Sequence, residues 1–296
     1  MEPDHSFAVE SVPPSSAEND WSAWLAPLAL IAGLVIAATG ALVIDLPAAL
    51  LFGVSVTASK LPGGLAIADT IVQDGAFVAA AVIIARTGGR TVRSWQFGLR
   101  PPRIDRSQAA LLAAATLVGF LIFSAIWAEI FNVSTKEKVL EELGSGESTI
   151  LLLASAGLTC VIAPICEEFL FRGFVFTALS NWHGPWLAAV ITGAVFGAVH
   201  AGSAPAVYLV PLAALGFGLC LLYRASGSLY PCIAVHAVNN SVAFGSLESW
   251  GWQTPILIAS SLTIILALAL ALRRMGVISA APTIAEHHVL RIASEK

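Results

Sequence analysis

Residues 163–174, APICEEFLFRGF, place Glu167 and Glu168 side by side and set Arg172 four residues after the second acid, in an otherwise apolar run. Ionisable groups inside apolar helices are costly and usually mark function. On a helix Glu168 and Arg172 share a face at i,i+4, with the acid first, the better order for an ion pair. Glu167 lies about 100° round the helix and has no such local partner. A carboxyl short of water and counter-charge is suited to exchanging protons near neutral pH. Pro164, one turn earlier, removes a backbone hydrogen bond and favours a kink.

Two further clusters follow. FGAVH sets Phe196 and His200 on one helical face, and Gly193 with Gly197 lets a neighbouring backbone come close. HAVNN sets His236 and Asn240 on one face, so that one donor from each can converge on a single oxygen, as in an oxyanion hole. Asn239 points elsewhere and suits a helix–helix hydrogen bond. Each cluster alone also fits a structural role: an ion pair, a helix-end imidazole, a polar clamp. Together they supply a base, a charge that orients it, imidazoles and oxyanion donors, which is equipment for attack of water on an amide. Ser203 and Ser228 sit in loops and Cys166 faces away from Glu167, so no nucleophilic serine or cysteine with a paired base is evident.

The elements that must hold these groups are membrane helices. Of 296 residues, 57% are hydrophobic and 11% charged, with mean hydropathy +0.83; soluble domains carry about 25% charged residues. Spans of about 20 apolar residues or more fall at 22–44, 67–86, 108–131, 149–179, 205–223, 228–246 and 254–272, and the shorter but strongly apolar 186–200 makes eight. The sequence therefore predicts an all-α, polytopic membrane bundle of about eight helices over 22–274. Residues 46–58 are too short to span and suit an interfacial or re-entrant piece. Residues 1–21 read as a disordered polar tail and 275–296 as a second polar tail.

Arginine places the bundle in its membrane. Arg90, Arg93, Arg100, Arg103 and Arg106 fill the segment 87–107, which marks it as cytoplasmic. Threading eight helices from there puts both termini, Arg224, Arg273 and Arg274 on the same side. Lys60, Lys136 and Lys138 fall outside, the last two among Glu137, Glu141 and Glu142. The arginines of 86–106 suit a topology signal and also contact with anionic head groups of the lipid bilayer. No basic run suits nucleic acid. The four cysteines form no pair suited to a disulfide framework or soft metal. Of a bacterial plasma membrane and the endoplasmic reticulum, the signal-free chain fits the former better.

The order E-E-x-x-x-R, F-x-x-x-H, H-x-x-x-N, carried by Glu167 to Arg172, Phe196 to His200 and His236 to Asn240, resembles the CPBP family over about 149–246. That family comprises CAAX prenyl endopeptidases and bacteriocin-processing or self-immunity membrane proteins. The resemblance implies an eight-helix bundle with a water-filled intramembrane cavity opening to the cytosol. It also implies that Glu167 activates water with help from His200, that Glu168 and Arg172 hold the site, and that His236 and Asn240 stabilise the oxyanion. The expected partner is a membrane-associated peptide, of which prenylated tails are one class. A zinc reading of the family would make Glu167, His200 and His236 ligands and leave Glu168 as base while it also faces Arg172. The absence of H-E-x-x-H favours the metal-free reading, with no cofactor. Two alternatives share the same residues: a non-catalytic scaffold or immunity protein, and a proton-coupled transporter, against which the missing internal repeat counts.

Overall fold

A computed structural model describes residues 21–53, 62–133, 146, 148–201 and 203–279. Among these the chain is helical, without a strand. The helices are α1 (Leu25–Phe52), α2 (Gly63–Ala85), α3 (Arg106–Ile130), α4 (Thr149–Gly157), α5 (Ala163–Glu168), α6 (Thr177–Val199), α7 (Ala206–Ser226), α8 (Leu229–Leu247) and α9 (Gln253–Arg274). Wide π turns, Leu158–Ile162 and Phe169–Phe176, join α4, α5 and the part of α6 before His183 into one continuous rod.

Among the described residues six helical stretches are long and apolar enough to cross a membrane, one of them the whole run Thr149–Val199. That run reverses where His183 (φ −121°) and Gly184 (φ 81°) leave helical geometry ahead of Pro185. Glycine takes the positive φ there without a Cβ penalty. The run is thus two crossings, and α8, made less apolar by His236, Asn239 and Asn240, is the eighth. The predicted all-α membrane bundle of about eight helices matches this architecture.

Two boundaries differ from the expectation. The first helix continues through Pro47 to Phe52, absorbing most of the segment assigned to an interfacial piece; the remainder, 54–58, lies outside the described residues. Trp21, assigned to the tail, is buried and packs its ring 5.0 Å from Phe97 and 4.9 Å from Phe174. Residues 1–20 and 280–296 lie outside the described residues, while Ile278 is buried and the backbone N–H of Ser279 donates to Ser94 Oγ at 2.8 Å.

The packing sorts the helices by role. α3 buries only Ala109 and α9 only Ser261; their apolar surfaces face outward, as expected where lipid is the solvent. Every residue of the π turn Phe169–Phe176 is buried, and Phe169, Phe171, Phe174 and Phe196 belong to one core cluster with Phe97. The helix carrying the paired acids is therefore the axis of the bundle. Two neighbours approach it closely. Ser94–Phe97 forms a 3₁₀ turn whose Phe97 ring stacks on Phe169 at 4.4 Å, and a Cβ on Gly173 would meet the Phe97 carbonyl at 2.8 Å. The Gly193/Gly197 face meets α7: a Cβ on Gly193 would lie 2.7 Å from Ala213 O, and one on Gly197 would collide with Leu209 O.

Candidate active site

Glu168 and Arg172 are both fully buried, and Arg172 Nη1 donates to Glu168 Oε1 at 2.7 Å. Arg172 Nη2 donates to Gly216 O of α7 at 3.0 Å, and the guanidinium carbon sits 4.6 Å from the centre of the Phe196 ring. Glu168 Oε1 also accepts from His236 Nδ1 at 2.8 Å. The carboxylate thus ties its own helix to α8 and, through Arg172, to α7. A buried pair of this kind holds only because each charge has several partners.

His236 is the link to the second acid. With Nδ1 donating to Glu168, its other nitrogen, Nε2, lies 3.8 Å from Glu167 Oε2. Glu167 Oε2 itself has no hydrogen-bond partner, and the Glu167 side chain is 13% exposed against none for Glu168. Glu168 Oε2 is likewise without a partner, so the two carboxyls differ in Oε1, which in Glu168 accepts from both Arg172 and His236, and in that Glu167 lines an open space.

That space is a cavity of about 410 Å³, lined by Glu167, His200, His236 and Asn240 together with Phe171 and Ser203. His200 Nδ1 lies 2.7 Å from Phe196 O. A carbonyl only accepts, so Nδ1 carries the hydrogen and Nε2 of the neutral ring is free to accept one. The Phe196 ring is the hub of the site: its centroid is 4.9 Å from that of His200, 5.7 Å from His236 and 5.1 Å from Phe171.

Asn240 differs from the expectation. Its Nδ2 donates to Thr159 O at 2.9 Å and its Oδ1 accepts from Asn239 Nδ2 at 3.3 Å. Thr159 lies in the first π turn, where the helical ladder leaves carbonyls short of donors. The amide keeps one N–H of its two for another acceptor. Asn239 is a partner of Asn240, not a separate interhelical clamp.

A zinc ion would draw on Glu167, His200 and His236. Among the described residues no three His, Cys, Asp or Glu side chains form a group able to hold a metal.

No motif points to the acids of α2, although Asp69 and Asp74 both fall in the predicted span 67–86 as charges in apolar surroundings. Asp74 is 2% exposed, with Oδ2 unpartnered, and it stands near enough to Glu167 for their charges to interact. Ala66, Thr70, Gln73 and Phe77 of the same helix line the cavity.

Residues 149–242, which carry all three clusters, match the family model described as type II CAAX prenyl endopeptidase, Rce1-like. The CPBP resemblance read from the motifs holds. Similar proteins include one of Bacillus subtilis (strain 168) described as "Putative membrane peptidase YdiL", 30% identical over 84 residues, 28% of this chain and 33% of that one. Another is an uncharacterized protein of Mycoplasma capricolum subsp. capricolum, 32% identical over 87 residues, 29% of this chain and 25% of that one. The chain therefore matches a third or less of these relatives' own lengths. No solved structure matches it. The CPBP-like region is the axis rod, α7 and most of α8; α1 to α3 and α9 are outside the match.

Proposed function

We propose that the protein is an intramembrane endopeptidase that hydrolyses a peptide bond of a membrane-associated peptide with a water activated by Glu167. The observation that carries this reading is the convergence of Glu167, His200, His236 and Asn240 on one cavity, backed by the buried Glu168–Arg172 pair. Glu167, unpartnered at Oε2, takes a proton from water as the water oxygen attacks the carbonyl carbon. His200, with Nε2 free, orients that water. The free N–H of Asn240, and His236 when protonated between its two carboxylates, face the oxygen on which charge develops. Collapse breaks the C–N bond, and Glu167 returns its proton to the leaving amine.

Glu168 and Arg172 do no chemistry in this scheme. They fix His236 and keep one charge of each sign buried behind it. Cleavage of a peptide by the purified protein in detergent tests the assignment: Glu167→Gln is expected to abolish it in a protein that still folds. Full cleavage by a folded Glu167→Gln variant would overturn the proposal and favour the scaffold reading.

A further inference from the structure

The two ends of the bundle differ in charge, and the cavity belongs to one of them. Among the described residues every arginine except the buried Arg172 lies at the end where α2, α7 and α9 finish and α3 begins. Direct contacts gather that end together. Leu229 N donates to Gly98 O at 2.9 Å, Arg103 N to Ser226 O at 2.8 Å, and Arg100 Nε to Gly227 O at 2.9 Å. Asn181 Nδ2 donates to Trp21 O at 2.9 Å, and the Arg224 guanidinium lies over Trp186 at 5.5 Å. The one acid described there is Asp105, which caps α3. At the opposite end the described charges are carboxyls: Glu129 ends α3 and Glu248 follows α8.

The cavity runs toward the end without arginines. Its rim includes Ser203, which is exposed, Ala204 and Leu247, all at that end. Its depth is marked by Glu167, His236 and Phe171. Between those residues and the arginines stand Phe97, Phe169 and Phe174, buried and packed on one another. These rings form an aromatic floor beneath the cavity on its arginine side.

Arginine and lysine gather on the cytoplasmic side of short membrane loops. We propose that the cavity opens to the non-cytoplasmic face, so that the peptide it admits is a segment presented on that face. This is the reverse of the cytosolic opening that the family resemblance implies. It excludes tails anchored on the inner leaflet, prenylated ones among them. The class of substrate becomes a translocated or secreted peptide, or an outer loop of another membrane protein. The opening stands on the cavity's lining and the charge distribution; the substrate class rests on the endopeptidase reading.

Cysteine labelling in intact cells tests the orientation without needing activity. Ser203→Cys and Arg93→Cys variants, expressed in a bacterial inner membrane, are exposed to a membrane-impermeant maleimide before and after lysis, with the unsubstituted chain as the blank. Ser203→Cys should label at least severalfold above the blank in intact cells, and Arg93→Cys only after lysis. The reversed pattern, equal labelling of both in intact cells, or labelling of Ser203→Cys only after lysis overturns the proposal. Should either variant fail to reach the membrane, reporters fused after Lys296 decide instead. A fluorescent protein that matures in the cytosol should be bright and alkaline phosphatase inactive; active phosphatase overturns the proposal. Loss of the endopeptidase reading would show separately, as undiminished cleavage by Glu167→Gln in detergent with the labelling pattern unchanged.

Discussion

Glu167 and Glu168 share a sequence context and part in the fold, and their substitutions should part as well. Glu167→Gln removes only the base, so cleavage should fall by about 10²–10⁴-fold, the usual worth of general base catalysis, while thermal unfolding in detergent stays near that of the parent. Arg172→Met leaves Glu168 buried and short of a counter-charge. Breaking a buried pair in this way costs about 3–5 kcal/mol, so the variant should unfold at lower denaturant and lose activity through the fold; unaltered stability would remove the pair's structural role. Phe196 packs against both imidazoles and the guanidinium. Phe196→Ala should cost about 3–5 kcal/mol of stability.

At the scale of elements, helical periodicity made much of the site readable. The i,i+4 spacing of Glu168 with Arg172, and of Phe196 with His200, translates directly into shared faces, and the observed contacts follow. Gly193 and Gly197 likewise announced a close neighbour, which is α7. Gly193→Val should therefore force the two helices apart and cost about 1–3 kcal/mol or more, measurable as a lower midpoint in a mixed-micelle titration. What stayed hidden depended on contacts between distant segments. Phe97 sits among arginines that a topology rule fully explains, yet its ring is a floor tile stacked on Phe169. Asp74 is a charge in an apolar span, but nothing around it in α2 resembles a motif. The π turns leave no mark in composition, and with them went the fate of Asn240, whose partner is a backbone carbonyl.

For the whole molecule, the peripheral helices are solvated by lipid and the axis rod by protein, so detergents that loosen α3 or α9 should affect the site less than those that open the α7 contact. Without a metal, cleavage should persist in a chelator and elemental analysis should find well under one zinc per chain, whereas about one zinc, lost in both Glu167→Ala and His200→Ala, would reassign the base. The aromatic floor has an electrical consequence. Filled with water, the cavity carries the potential of its own side down to Glu167, and the membrane voltage then falls across the thin layer of rings beneath. Moving one elementary charge through such a layer is worth about 2.3 kcal/mol per 100 mV. Glu168 and Arg172 lie near that layer as a pair of opposite charges. Their net charge is zero, so the field can only turn the pair and cannot drive it across.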